Sequence, residues 1–186
     1  MNLLKKALAS LVILAISFLV QAAKPDPITL PVQTPLFGFD ADNNGVIVFY
    51  KFPYRKGGFV YHPFEIALQA SADNASSYFQ GKIENLRVGL KNKRMEGASE
   101  KDLPPEVTLD SLLKKGVSRE AALTWLERHM KRVGPGAAVW HYDFDNAYND
   151  VEVKRPWGSA FGQAHVIRAF AKAYRETGKA KYRDIA

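Results

Sequence analysis

The sequence predicts an α+β fold, mainly α, in which a β-hairpin N-terminal part precedes paired amphipathic helices. Three observations lead there. Two β-rich runs, residues 36–39 and 46–52, flank Asp40-Ala41-Asp42-Asn43-Asn44-Gly45, and Asn-Gly before a β-branched run is a strong hairpin signal. Apolar residues then recur at helical spacing after Ser118 and again after Ser159. The composition, 47% hydrophobic and 24% charged, matches globular averages and excludes a disordered, collagen-like or polytopic membrane chain.

In chain order, Lys5 and Lys6 form a basic n-region, residues 7–20 an uncharged run, and Val20-Gln21-Ala22 the small residues a signal peptidase accepts. Residues 1–22 are therefore expected to be a signal peptide and the chain exported, to a periplasm or the exterior. The run is too short for a span, which takes roughly 20 apolar residues, so no stable membrane span is expected after cleavage. Loss of Lys5 and Lys6 lowers the formal charge from +7 to +5, an excess that suits an acidic partner without choosing one. There is no cysteine, so disulfides, thiolate metal sites and cysteine nucleophiles are excluded.

Residues 23–62 read as an extended and β-hairpin region, because Pro25, Pro27, Pro31 and Pro35 forbid helix before the hairpin. Residues 63–186 read as helical. Ile66, Ala67 and Ala70 share one face, and Ala75, Tyr78 and Phe79 add a further turn or two. The charge-dense stretch 82–115, with Pro104-Pro105, is expected to be a surface connection with one or two short helices. Ser118 caps a helix carrying Ala122, Trp125, Leu126, His129 and Met130 to about Arg132, ended by Gly134-Pro135-Gly136. Another runs from Ser159 to about Thr177, with Gly178 as its C′ residue. A third starts at Lys179 and stops within two turns, so the helical pattern is expected to be truncated.

Two constellations could carry chemistry. Asp40, Asp42 and Asn44, with Gly45 and Ile47, match the spacing of a calcium loop, but its twelfth position is Lys51 where a bidentate Glu belongs. A polar hairpin turn is the first reading, and a weak Ca²⁺ site the alternative. Residues 139–150 are the densest mixture of aromatic and polar side chains: sugar rings stack on aromatics while Asp and Asn take their hydroxyls, which fits a carbohydrate cleft. Against this stands a core-facing strand in which Trp140, Tyr142 and Phe144 alternate. The loop is acidic until Lys154-Arg155, which disfavours nucleic acid. His62 and His141 each adjoin a tyrosine, a pattern more often structural than catalytic. No phosphate loop, dinucleotide fingerprint, Gly-x-Ser-x-Gly or His-Glu-x-x-His occurs.

Read together, residues 59–69 (Phe-Val-Tyr-His-Pro-Phe-Glu-Ile-Ala-Leu-Gln), residues 122–126 (Ala-Leu-Thr-Trp-Leu), Pro156-Trp157-Gly158-Ser159-Ala160 running through Gln163-Ala164 to Tyr174, and Thr177-Gly178 to Tyr182 resemble the D-glucuronyl C5-epimerase family from about Phe37 onward. Departures are His165, where a small or aliphatic residue is expected, and the placing of Gly162-Gln163. The resemblance implies a β-rich part followed by an (α/α) barrel, here an incomplete toroid. It also implies inversion of D-glucuronate to L-iduronate at C5 within a heparosan-like acidic polysaccharide. That reaction removes a weakly acidic proton α to a carboxylate, so it needs a base, an acid on the opposite face, and cations for the enolate charge. Tyrosine and glutamate serve in such family members, and no redox cofactor is required. In this chain the resemblance points to Tyr61 and Tyr142 as catalytic, and to Asp143, Lys154, Arg155, Trp157 and Gln163 as substrate-binding. The family's Glu-Tyr and Tyr-His motifs fall in later barrel helices, so this stretch alone is expected to hold the entry side of the cleft, with its own activity left open. A glucuronate polymer is the expected partner, with a homodimer left open. The competing readings are a non-catalytic acidic-carbohydrate-binding protein and a helical-repeat adaptor.

Overall fold

Local causes account for each element of the computed structural model, which describes residues 37–51, 59–99, 103–148 and 151–186. The expected signal peptide (1–22) and proline-rich lead-in lie outside these residues. Strands β1 (Phe37–Ala41) and β2 (Ile47–Lys51) pair antiparallel, with Asp40 opposite Val48. Asp42 closes the turn, its Oδ1 accepting from the backbone N–H of Asn44 and of Val46, each at 2.9 Å. Gly45 follows at φ 75°, a left-handed conformation that glycine adopts without steric cost. A Cβ there would also collide with the Gly116 carbonyl.

Helix α1 (Pro63–Ser71) starts on proline at its first turn, where the missing N–H costs nothing. It buries Ile66, Ala67, Gln69 and Ala70. Helix α2 (Ala75–Met95) is capped by Asn74, whose side chain accepts from Ser76 and Ser77. This corrects the expected surface connection: 82–95 is one continuous helix. Ile83, Leu86 and Leu90 extend the stripe begun by Phe79, and the many charges occupy the remaining faces, so charge density hid a narrow apolar seam. Helix α3 (Leu109–Lys114) follows Pro104-Pro105.

Ser118 caps α4 (Arg119–Arg128), its Oγ accepting from the Ala121 N–H at 3.1 Å. The helix ends at His129 and not near Arg132. Residues Lys131–Gly134 form β3, which turns through Pro135-Gly136 to pair with β4 (Ala137–Val139). Gly-Pro-Gly thus makes a hairpin where the sequence predicts only a helix stop. A third pair, β5 (Asn146–Tyr148) and β6 (Val151–Val153), interrupts the aromatic segment. Ser159 caps α5 (Ala160–Thr177), Gly178 ends it at φ 66°, and α6 (Ala180–Ile185) follows.

The architecture is mainly helical with small antiparallel strand pairs. Helix α1 is central, packed against α5 and α4, and β2 lies against it. One core joins hairpin and helices, from Phe39 and Ile47 through Ile66, Phe79 and Leu126 to Phe170. Each large apolar side chain fully buried contributes about 1.5–3 kcal/mol. The core's one buried polar residue among those described, Gln69, is fully satisfied. Its Oε1 accepts from Ile47 N–H at 3.0 Å, and its Nε2 donates to the carbonyls of Gly45 (2.7 Å) and Ser118 (2.8 Å). One amide therefore fixes the hairpin turn, α1 and the start of α4 to each other. Among the described residues no helix is long and apolar enough to cross a membrane.

Candidate functional site

The segment after β4 builds an aromatic box at the N-terminal end of α5. Trp140 is buried, and its indole N–H donates to the Leu126 carbonyl at 2.6 Å. Gln163 grips the Trp140 backbone in both directions, accepting from its N–H at 2.9 Å and donating to its carbonyl at 2.8 Å. Two residues on, Tyr142 exchanges backbone hydrogen bonds with Trp157 (2.8 and 3.2 Å). Their rings stack 4.1 Å apart at 9°. The Trp157 indole N–H then donates to the Phe144 carbonyl at 2.7 Å. Of the three alternating rings only Trp140 joins the core; Tyr142, though buried, and the half-buried Phe144 pack with Trp157 and His62 outside it, and residues 140–144 carry an isolated bridge to Trp157 and no strand.

From α1, the His62 ring meets Tyr142 edge-on at 4.7 Å and approaches Phe64 and Phe144 at about 6 Å. Its Nδ1 is buried without a partner, and burial pushes the imidazole below its ordinary value. Phe64, Phe161 and His165 complete the box, with ring centroids 4.7–5.0 Å apart. Phe161 is 62% exposed, so one wall of the box faces solvent. None of these three is among the site residues expected from the sequence. Their signal was the placing of Phe161 and His165 four apart at a helix start that also carries Ser159.

The rim is charged. Asp145 accepts from the Arg155 backbone N–H at 3.0 Å and lies 3.5 Å from its Nε, and Lys154 lies 4.0 Å from Asp145 and 2.9 Å from Glu152. The Arg155 N–H, aided by both cations, holds Asp145 below the usual carboxylate range, and Glu152 raises Lys154. Both cations are well exposed, at 60 and 67%, so these surface pairs can exchange for a ligand carboxylate at little cost. Asp143 is exposed beside them.

The structure brings Tyr142 and Trp157 together, with Lys154 and Arg155 three and two residues before Trp157. Gln163 is nearby, but both ends of its amide are committed to Trp140. Tyr142 is 1% exposed. Its hydroxyl abuts Gly162, and burial raises its pKa. In this conformation Tyr142 anchors Trp157.

Tyr61 stands elsewhere. Its side chain leaves the chain opposite to that of His62 and donates to Asp42 Oδ2 at 2.9 Å, and its ring stacks on Trp125 at 5.1 Å. Partial burial and the Asp42 carboxylate push its pKa up to about 12. Asp40 accepts from Lys115 Nζ at 2.6 Å, Asp42 is committed to the turn and to Tyr61, and Asn44 is exposed. Among the described residues, no group of three His, Asp or Glu side chains is arranged to hold a metal.

Residues 136–186 match the family model described as D-glucuronyl C5-epimerase C-terminus. No curated protein and no solved structure matches the chain. The matched stretch runs from the β3–β4 turn to the end of α6. It therefore contains Tyr142, Asp143, Lys154, Arg155, Trp157 and Gln163, and it excludes Tyr61, Asp40, Asp42 and Asn44. The resemblance drawn from the motifs is thus met independently over residues 136–186, which supply most of the aromatic box.

Proposed function

With residues 136–186 similar to the D-glucuronyl C5-epimerase C-terminus, we propose that the chain is the uronate-holding part of an exported isomerase. It would invert D-glucuronate to L-iduronate at C5 in a heparosan-like polymer, without a redox cofactor. The observation that carries this reading is coincidence: the matched stretch also supplies most of an aromatic box, completed by His62 and Phe64, with a solvent-facing wall and a rim of two exchangeable cations. A pyranose would lie against Phe161 and Trp157, with its carboxylate on Arg155 and Lys154. A guanidinium takes a carboxylate by two parallel hydrogen bonds and stabilises charge spreading onto it as C5 loses its proton. Helices α1, α4 and α5 would form the opening arc of an (α/α) barrel.

The tyrosines bear on which half of the reaction this chain supplies. Tyr61 lies outside the box on Asp42, Tyr142 is buried under Trp157, and both are raised and protonated near neutrality, so neither is placed to remove the C5 proton. That observation favours a second reading, a non-catalytic acidic-carbohydrate-binding protein.

The test is to incubate the full chain with a glucuronate polymer in D₂O and follow C5 by NMR. Deuterium at C5 and new iduronate signals are expected, and Arg155→Ala should lower the exchange rate about tenfold or more. Polymer binding without exchange would sink the epimerase reading and leave the binding one.

A further inference from the structure

We infer that the junction of α4 and β3 is a second contact surface for an acidic polysaccharide, whose cations and imidazole lie outside the family-matched stretch and which adjoins the aromatic box through Trp140 and Gln163. It rests on the uronate reading above for the identity of the polymer. Within five residues the chain places Arg128, His129, Lys131 and Arg132, all exposed. None of these three Lys and Arg side chains has a carboxylate partner among the described residues. Elsewhere Lys115, Arg119, Lys172 and Lys181 each meet one. Three neighbouring like charges repel one another, and the negative end of the α4 dipole offsets only the nearest, Arg128. Such a cluster is suited to an anion that is not part of this chain.

A rigid ring lies beside the cations. His129 stacks on Trp125 at 4.1 Å and 13°, and its Nδ1 is 2.8 Å from the Trp125 carbonyl oxygen, which fixes the plane of the imidazole. Tyr61 stacks on the same indole. Arg132 also lines a groove of about 210 Å³ together with Met130, Trp140, Gln163, Ile167 and Asp184, the last paired with Arg183 at 2.8 Å. Drug-sized pockets run to about 300–1,000 Å³, so this groove has room for a single sugar ring. A fixed flat ring takes a pyranose face, the cations take carboxylates on neighbouring residues, and the groove receives one ring of the polymer. Single-stranded nucleic acid, by contrast, is gripped by successive stacking rings along a basic groove, and this surface presents one ring stack.

The measurement is retention of the full chain on immobilised heparosan across a salt gradient, comparing wild type with the triple variant R128S/K131S/R132S and with His129→Ala. Unchanged thermal melts should show that all are folded. The triple variant is expected to bind about tenfold or more weakly, with a flatter salt dependence, and His129→Ala to bind about threefold more weakly at every salt concentration. C5 exchange on a short glucuronate oligosaccharide should be the same in all of them. Wild-type retention in the triple variant overturns the inference, as does a wild-type chain that is not retained, or one that prefers single-stranded RNA to the polymer. Retention that depends on these residues without any C5 deuterium would instead remove the epimerase reading and leave this surface standing.

Discussion

The hairpin joint around Gln69 and the aromatic box around Tyr142 are both dense in the residue types that catalysis uses, yet they treat polar atoms oppositely. At the joint, Asp40, Asp42, Tyr61 and Gln69 each find a partner within the chain, and the two carboxylates that looked like calcium ligands serve a lysine, a turn and a phenol. In the box, His62 keeps an unpartnered buried Nδ1, Phe161 faces solvent, and the rim cations sit in exposed pairs. Saturated hydrogen bonding marks a structural joint. A site that must accept a ligand retains unsatisfied or exchangeable groups at its edge.

Replacing Gln69 is the harshest way to break that contrast. Gln69→Leu would keep the volume while stripping the Ile47 N–H and the Gly45 carbonyl of their partner in a buried place, each such loss costing about 1–3 kcal/mol. A loss of about 3 kcal/mol or more is expected in chemical denaturation. A loss under about 1 kcal/mol would mean that the joint is not held by this amide.

A smaller effect is expected where the box meets α5. An alanine at Gly162 improves helix propensity by about 1 kcal/mol, so in an open helix Gly162→Ala would stabilise. Here its Cβ would collide with the Tyr142 hydroxyl, pushing that ring against Trp157. Net destabilisation of about 1–2 kcal/mol is expected, with a changed tryptophan emission. A stabilised variant would show that the Tyr142–Trp157 stack can yield.

Titration sharpens the comparison further. Burial holds His62 below its ordinary value, so the unfolded chain binds its proton first. The stability contributed by the neutral ring is present above about pH 6.5 and is lost as pH falls through that range. His62→Phe should flatten this acid limb in pH-dependent melts. Tyr61 has the opposite sign: its folded value, about 12, exceeds the ordinary 10.0, so its contribution is complete below pH 10 and lost as pH rises towards 12. Tyr61→Phe should lose that alkaline dependence and about 1 kcal/mol at neutral pH, the worth of one hydrogen bond. An unchanged alkaline limb would separate Tyr61 from Asp42.

Much of the fold was legible because its signals are local. The Asn-Gly hairpin, the Ser118 and Ser159 caps and the Gly178 terminator each depend on two to four neighbouring residues. Helix α2 was not, because its seam of four apolar residues is outnumbered by charges that need only solvent. The β3–β4 hairpin was missed because Met130 continues the helical spacing of α4, whereas pairing of Lys131 with Val139 depends on a strand read separately. For the site, residue types were legible and commitments were not. Gln163 reads as a binding residue until the Trp140 backbone is found between its amide atoms. Asp42 reads as a ligand until Tyr61, 19 residues on, is found donating to it.

The gentlest test for stability is the most telling for function. Lys154 and Arg155 are exposed, and their pairs with Glu152 and Asp145 are of the kind worth about 0–1 kcal/mol. Arg155→Ala and Lys154→Ala should therefore each leave the thermal melt essentially unchanged. If the rim holds a uronate carboxylate, the same changes should weaken binding of a glucuronate oligosaccharide about five- to twentyfold, with Arg155 the larger because its fork can bind in two places. Asp145→Asn discriminates between the two demands on Arg155. Removing the internal competitor should strengthen binding if the arginine exchanges partners, and weaken it if Asp145 serves to aim the guanidinium. Either result ties ligand and rim together, whereas no change in all three variants would assign the exposed cations to solvent and leave the box a structural cluster like the joint.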